Sequence, residues 1–200
     1  MNDKLKKDFY NRNVLIVAKE LLGKLFVLES KKNGHKLVGR IVEVEAYDGS
    51  VDEAAHTFNG KTERNKVMFN EGGYLYVYFT YGKHFCANVV AGNKDEGTGI
   101  LIRAMEPISG TKIFARRRFK KTVISDKEKI NLLNGPAKIC QAFDIDKKEN
   151  GINLLGNKIY LMNSSKIEKK NIIESKRIGI KKSVELPWRF YIKDNIYVSR

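Results

Sequence analysis

The segment Gly39-Arg-Ile-Val-Glu-Val-Glu-Ala-Tyr47 decides the fold of this chain. Apolar and polar residues alternate along it, which is the pattern of a β-strand with two different faces. On a regular strand Ile41, Glu43, Glu45 and Tyr47 point to one face, and the residues between them point to the other. The segment therefore predicts a strand that presents two carboxylates and a tyrosine on the same side of a sheet.

Similar runs on both sides of this segment predict a sheet with flanking helices. Runs rich in β-branched and aromatic residues indicate strands at 24–28, 36–46, 74–81, 85–90, 99–105, 158–162, 177–180 and 190–198. Apolar spacing and capping residues indicate helices at 13–22 and 110–121, another that opens at Asn134-Gly135-Pro136, and one helical turn at 52–56. Because strands cluster and helices flank them, we predict an α+β fold with a largely antiparallel sheet.

Length and charge bound the class of protein. A chain of 200 residues is long enough for one domain with a sizeable core, which we place at residues 1–200. Lys and Arg number 38 against 23 Asp and Glu, a net charge of +15. Such a surplus favours a polyanionic partner, namely DNA, RNA or an acidic membrane face. A lysine-rich composition with no such partner is the alternative.

Several other classes are excluded by what the sequence lacks. No apolar run reaches the roughly 18 residues of a membrane span, and residues 1–7 lack the apolar middle of a signal peptide, so we expect a cytoplasmic protein. Cys86, Cys140 and the three histidines show no metal-ligand spacing, and P-loop, dinucleotide-binding and serine-nucleophile motifs are absent. We therefore expect reduced cysteines, no metal and no cofactor.

Two groups of side chains could carry chemistry, and each has a plainer explanation. Glu43 or Glu45, buried beside aromatic rings, could act as a general base on water, or both could lie on an exposed polar face. Tyr74, Tyr76 and Tyr78 share one strand face, where they could stack nucleobases or fill the core.

Two basic features of the sequence also allow two explanations each. Arg103 ends the apolar run Gly99–Ile102, and a buried arginine there needs a carboxylate, which could serve structure or catalysis. The segment Arg116-Arg-Arg-Phe-Lys-Lys121 is typical of a solvated face and also suits phosphates.

Seven segments, taken in order, connect the chain to a known family. They are Gly39-Arg-Ile-Val-Glu-Val-Glu-Ala-Tyr47, Asp52-Glu-Ala-Ala-His56, Tyr76-Val-Tyr-Phe-Thr-Tyr-Gly82, Phe85-Cys-Ala-Asn88, Leu101-Ile-Arg-Ala-Met-Glu-Pro107, Gly135-Pro-Ala-Lys-Ile-Cys-Gln141 and Arg177-Ile-Gly-Ile180. Together they resemble the alkyladenine DNA glycosylases, the mammalian-type 3-methyladenine DNA glycosylase family. The resemblance implies a single compact α+β domain with a curved sheet, a protruding β-hairpin that inserts into DNA, and a monomer without metal.

The same resemblance implies a reaction centre. Glu45 matches the carboxylate that deprotonates the attacking water, and Arg103 matches the arginine that helps to place that water. The backbone at Ile178 and Gly179 matches the third contact of the water.

It also implies a base pocket and a set of DNA contacts. The pocket that sandwiches the flipped base matches Tyr47, His56 and Tyr78, with Asn88 as the residue that crowds the 2-amino group of normal guanine. The DNA contacts match Tyr81, which inserts into the gap in the base stack, and Lys138, which contacts a phosphate. Lys83-His84 depart from the family pattern of apolar or aromatic residues, so we expect an electrostatic contact from Lys83 beside Tyr81.

The expected function follows from these assignments. We expect a monofunctional enzyme of base excision repair that flips alkylated or deaminated purines from double-stranded DNA and hydrolyses the glycosidic bond with water. The resemblance implies 3-methyladenine, 7-methylguanine, ethenoadenine and hypoxanthine as lesions, and use at a bacterial nucleoid. A lyase would need an amine nucleophile, and Lys83 is the only lysine in the matched pocket segments.

The alternative is a basic nucleic-acid-binding module without catalysis. Such a module has no reason to keep an unpaired carboxylate at Glu45 beside Arg103 and the pocket, and this feature favours the enzyme.

Overall fold

The computed structural model describes residues 3–29, 34–80 and 82–199. In this part of the chain the helices are α1 Lys7–Tyr10, α2 Val14–Leu21, α3 Thr111–Phe119, α4 Asp126–Ile130 and α5 Pro136–Phe143. The strands are β1 Leu25–Glu29, β2 Lys36–Asp48, β3 Tyr74–Thr80, β4 His84–Ala91, β5 Thr98–Ser109, β6 Ile152–Asn153, β7 Ile159–Met162, β8 Ile172–Ser175 and β9 Arg189–Ile192. Single turns of 3-10 helix lie at Lys66–Phe69, Lys147–Glu149 and Lys169–Asn171.

The strands form one sheet in which every described pair is antiparallel. The order is β6-β3-β4-β5-β2-β1-β7, and β9 pairs with both β2 and β8 off this path. The predicted antiparallel α+β fold is thereby confirmed. The long strand β2 lies near the middle of the sheet. Strand β5 runs along one edge of it, and the segment that carries the two glutamates pairs on its other edge with β9, so this segment is covered on both edges.

Helices α2, α3 and α5 pack against the sheet around a single large core cluster. This cluster joins Val17 and Leu21 of α2 and Phe114 of α3 to strand residues such as Val44 and Ile102. Helix α2 begins where the Asn13 side chain accepts a hydrogen bond from the backbone N–H of Leu15. Its predicted end is confirmed, because Gly23 follows it with φ 84°, a left-handed conformation that suits glycine.

Strand β2 is not regular along its whole length. Ile41 lies opposite Met105 and Val44 lies opposite Ile102, but the register is irregular between these two pairs. As a result Ile41, Val44 and Ala46 all belong to the core cluster. The prediction that Ile41 shares the face of the two glutamates is therefore wrong, since side chains alternate only where the pleat is regular.

Three other local predictions need correction. Residues 177–180 form bends rather than a strand, and the last predicted strand ends at Ile192 and is followed by turns. Residues 52–56 form hydrogen-bonded turns that never become a helix. An ion pair between Arg177 and Asp52 joins segments 177–180 and 52–56, and periodicity does not report a contact over such a distance in sequence. Among the described residues no helix is long and apolar enough to cross a membrane.

Candidate active site

A cavity of about 380 Å³ opens beside the sheet, where Tyr47 and Arg103 line it. Its walls come from the end of β2, the turn after it, the 3-10 turn at Lys66–Phe69, strands β3 to β5, the start of α5 and the loop before β9. The predicted pocket residues line it together: Tyr47, His56, Tyr78, Asn88, Arg103, Ile178 and Gly179. These residues are spread over more than 130 positions of sequence, so the fold brings them to one place.

Three aromatic rings form one wall of the cavity. Tyr76 and Tyr78 stack with their centroids 5.5 Å apart and an angle of 21° between the rings. His56 meets Tyr78 edge-on at 4.5 Å, and its Nδ1 lies 3.1 Å from the Tyr76 hydroxyl. The sequence left open whether Tyr76 stacks on nucleobases or fills the core. Tyr76 is 1% exposed, but it also lines the cavity and fixes His56.

The pKa shifts of the side chains in this wall favour their neutral forms. Partial burial, and then the charge of Arg64, lower the pKa of His56. Burial is also the main reason why the pKa of Tyr78 is raised. The cavity therefore presents uncharged, electron-rich faces at neutral pH, which suit a flat and cationic guest.

The two glutamates of β2 are both fully buried but have different surroundings. Glu43 accepts four hydrogen bonds: from Arg103 Nε at 3.1 Å, Arg189 Nε at 2.7 Å, the Ser199 backbone N–H at 2.6 Å and the Ser199 hydroxyl at 2.8 Å. Three of these bonds reach Oε1 and one reaches Oε2, so Glu43 accepts about as many hydrogen bonds as the four acceptor sites of an ionised carboxylate allow.

Glu45 accepts three hydrogen bonds and keeps one acceptor site. Arg103 Nη1 at 3.2 Å and the Tyr47 hydroxyl at 2.9 Å both donate to Oε2, whereas Oε1 accepts, among the described residues, only the Ile178 backbone N–H, at 2.7 Å. The expectation of an unpaired carboxylate at Glu45 is therefore wrong. Glu45 has no exposed surface and lies directly behind Arg103, Tyr47 and Ile178, which line the cavity.

Arg103 connects the two carboxylates, as the sequence predicted for a buried arginine. It lies within β5 and is 8% exposed. Its burial acts against its charge, but Glu45 and Glu43 outweigh that effect and raise its pKa. Arg103 therefore carries a permanent positive charge at the inner end of the cavity.

The loop before β9 is fixed by its first residue. Arg177 forms a fully buried ion pair with Asp52 and donates a hydrogen bond to the Ala46 carbonyl at 3.0 Å. Its guanidinium also lies over the Tyr47 ring, 4.6 Å from the centroid. This anchorage sets the Ile178 N–H against Glu45. Arg177 and Asp52 were not singled out from the sequence, because an ion pair between residues 125 apart leaves no local signal.

The same loop brings two lysines to the cavity. Lys181 and Lys182 both line it, and Lys182 pairs with Glu53 at 3.1 Å. The prediction named Lys83 as the only lysine in the matched pocket segments, and it did not cover these two residues. The matched segment ended at Ile180, one residue before these two side chains.

Four more residues were predicted to contact the base or the DNA: Asn88, Lys83, Lys138 and Tyr81. Asn88 is 4% exposed and its amide donates to the Tyr76 carbonyl at 3.4 Å. Lys83 is exposed beside the β3–β4 turn, where its N–H donates to the Thr80 carbonyl at 3.3 Å. Lys138 is half-buried and donates to the Asn134 side chain at 2.8 Å. Tyr81 lies outside the described residues.

The basic segment 116–121 is partly used within the fold. Arg117 donates to the Ala142 carbonyl at 2.9 Å and lies 3.6 Å from Asp144, so it ties α3 to the end of α5. Cys86 and Cys140 are buried free cysteines, as expected. No group of three or more His, Cys, Asp or Glu side chains in the described ranges is arranged to hold a metal ion.

Comparisons with known proteins agree with this geometry. Residues 8–196 match the model of the family described as Methylpurine-DNA glycosylase (MPG). The chain is 44% identical over 202 residues to a Clostridium beijerinckii protein and 47% identical over 197 residues to one from Carboxydothermus hydrogenoformans, with 98% of each chain covered. A third relative, from Desulfitobacterium hafniense, is 45% identical over 202 residues. All three carry the name "Putative 3-methyladenine DNA glycosylase".

Proposed function

This chain belongs to the methylpurine-DNA glycosylase family, and we propose that it is a 3-methyladenine DNA glycosylase of base excision repair that hydrolyses N-glycosidic bonds of damaged purine nucleotides in DNA. One observation supports this most directly. A buried carboxylate with one acceptor site left, Glu45, lies behind a cavity with an aromatic wall, and Arg103 and the Ile178 N–H hold it in place.

The cavity suits a purine that has left the double helix. A base inside the duplex cannot reach Glu45, so the nucleotide must flip out, which costs a few kcal/mol and less for a damaged pair. Alkylation at a ring nitrogen makes the purine cationic. A cation between the rings of Tyr47, His56 and Tyr78 gains about 0.5–2 kcal/mol that a neutral base does not.

The reaction is an attack of water on the sugar carbon C1′. The water oxygen forms a bond to C1′, the C1′–N bond breaks, and its electron pair leaves with the purine. Glu45 accepts the proton from water at the acceptor site on Oε1, and Arg103 helps to hold the water. Cationic purines are good leaving groups, so a positioned base and a water are sufficient.

Glu45 must become accessible for this step. Because it has no exposed surface, one of the groups that cover it has to shift when the nucleotide binds. The Ile178 N–H is the best candidate, since it occupies the oxygen that keeps a free site and belongs to a loop segment with bends. Catalytic hydrogen bonds commonly reach their working geometry only in the complex.

The lesion range is a second part of the proposal. We assign 3-methyladenine, 7-methylguanine, ethenoadenine and hypoxanthine as substrates on the basis of the family resemblance. Asn88 lines the cavity and would crowd the 2-amino group of normal guanine. Excision of any of these bases would leave an abasic site in double-stranded DNA as the product.

DNA contacts outside the cavity complete the proposal. The β3–β4 hairpin would enter the duplex, with Tyr81 in the gap of the base stack and Lys83 beside it. Lys138 would contact a phosphate. The protein would act as a monomer, and its net charge of +15 would favour DNA as the partner.

Release of free base tests this function. Duplexes that each contain one of the four lesions are incubated with the protein under single-turnover conditions, and the released purine and the abasic site are measured. Release from at least the 3-methyladenine duplex is expected. Tight binding without release from any of them would instead support a non-catalytic nucleic-acid-binding module.

A further inference from the structure

Glu43 has no part in the mechanism above, yet it is the most heavily hydrogen-bonded carboxylate near the cavity. Its four donors come from three separate places: Arg103 in β5, Arg189 in β9 and Ser199 near the end of the chain. These donors hold both carboxylate oxygens, and Glu43 has no exposed surface and does not line the cavity, so it is not placed to take a proton from water.

We propose that Glu43 is a positioning residue for the glycosylase reaction, which it serves by fixing the guanidinium of Arg103. This inference rests on the proposed function. The guanidinium is planar, so a hydrogen bond at Nε fixes the plane in which the other nitrogens lie. With Nε held by Glu43, Nη1 meets Glu45 at 3.2 Å. Ser199 and Arg189 in turn hold Glu43.

The charges around Glu45 give this role a measurable signature. Glu43 and Glu45 face Arg103 from β2, Arg189 approaches from β9 to pair with Glu43, and Arg177 lies over the neutral Tyr47. Removing the charge of Glu43 takes away a like charge from Glu45. Arg103 then keeps Glu45 as its remaining carboxylate partner. Both changes favour the ionised form of Glu45.

The test is the pH dependence of single-turnover excision from a 7-methylguanine duplex by the full chain. In Glu43→Gln the acidic limb of the profile is expected to move to lower pH. Its plateau should fall by about 10- to 100-fold, because Arg103 is no longer oriented. Glu106→Gln is the matched control. Glu106 also pairs with an arginine between β2 and β5, Arg40 at 3.3 Å, but neither residue lines the cavity. Its profile should coincide with that of the unaltered protein.

Glu43→Asp keeps the charge but withdraws the carboxylate by one methylene. Its plateau should fall about tenfold while the acidic limb stays in place and the affinity for lesion DNA is retained. This variant also carries the test if Glu43→Gln does not fold.

Three outcomes would overturn the inference. The first is a Glu43→Gln profile that keeps both its plateau and its limb. The second is a fall in rate that follows the melting temperature, with the limb unmoved in Glu43→Gln. The third is a Glu43→Asp plateau equal to that of the unaltered protein. If the unaltered protein releases no base at any pH, the proposed function fails first and the inference with it.

Discussion

Arg177 and Asp52 form an ion pair in which neither side chain is exposed to solvent. Arg177 Nη2 donates to Asp52 Oδ1 at 2.8 Å, and Nη1 also reaches Asp52. The pair joins the loop that presents the Ile178 N–H to the turn that carries His56. This ion pair therefore fixes the position of the loop relative to the turn, and both belong to the cavity wall.

Replacing one partner of this pair should destabilise the whole protein. In Asp52→Asn the charge of Arg177 stays buried without its carboxylate, and losses of this kind are about 3–5 kcal/mol. Denaturant unfolding measures the free energy directly. Glu53→Gln is the control, because the neighbouring pair Glu53–Lys182 is more than half exposed and should contribute less than about 1 kcal/mol. Equal losses in the two variants would mean that burial does not make the Asp52 pair special.

Glu45→Gln should abolish excision while binding of lesion DNA survives. The amide keeps the shape of the side chain but cannot take the proton from water, and loss of a positioned base costs about 10²- to 10⁴-fold. Single-turnover excision beside fluorescence anisotropy of a lesion duplex separates the two effects. A turnover close to that of the unaltered protein would remove Glu45 from the mechanism.

The sequence allowed much of this site to be predicted, and the parts it missed share a physical cause. Alternation along β2 placed Glu43, Glu45 and Tyr47 together, and burial required a carboxylate for Arg103. The hydrogen bonds from Ser199 to Glu43 could not be foreseen, because the two residues lie 156 positions apart. Periodicity also failed at Ile41, where the strand is irregular. Side-chain networks between distant segments decide these details, and local patterns carry no record of them.

Acid should weaken the preference of the cavity for cationic purines. Partial burial, and then the charge of Arg64, lower the pKa of His56, so its ring stays neutral to a lower pH than that of an ordinary histidine. A charged ring then repels a cationic guest. In the Glu45→Gln background, the ratio of affinities for 7-methylguanine and hypoxanthine duplexes should stay constant from neutral pH until His56 begins to protonate in mild acid, and then fall. Adding His56→Gln should make the ratio independent of pH over the same range. If the ratio falls equally with both side chains, another group is responsible.

Lys138→Gln should reduce the salt dependence of DNA binding. Lys138 is held by the side chains of Asn131 and Asn134, and no carboxylate of the described residues forms a salt bridge with it. Each phosphate contact contributes about −0.9 to the slope of log K against log salt, so the slope should become less steep by about that amount. Lys158→Gln is the control, since Lys158 pairs with Glu149 at 2.8 Å. Identical slopes for the two variants would remove Lys138 from the DNA contacts.

Tyr81→Ala and Tyr76→Ala should differ in their effect on stability. Tyr76 is 1% exposed within the packing of β3, so its truncation should lower the free energy of unfolding by about 3–5 kcal/mol. Tyr81 is assigned by resemblance to the gap in the base stack, where a ring contributes about 1–3 kcal/mol to the flipped state only. Its truncation should therefore slow excision and leave the melting temperature nearly unchanged. Thermal melts and single-turnover excision on the same preparations compare the two variants.

A collapse of the melting temperature in Tyr81→Ala would mean that this ring belongs to the core, and Lys83 would become the next candidate for the gap. Unchanged excision would also count against Tyr81, because a flipped nucleotide leaves a space that some side chain has to hold open.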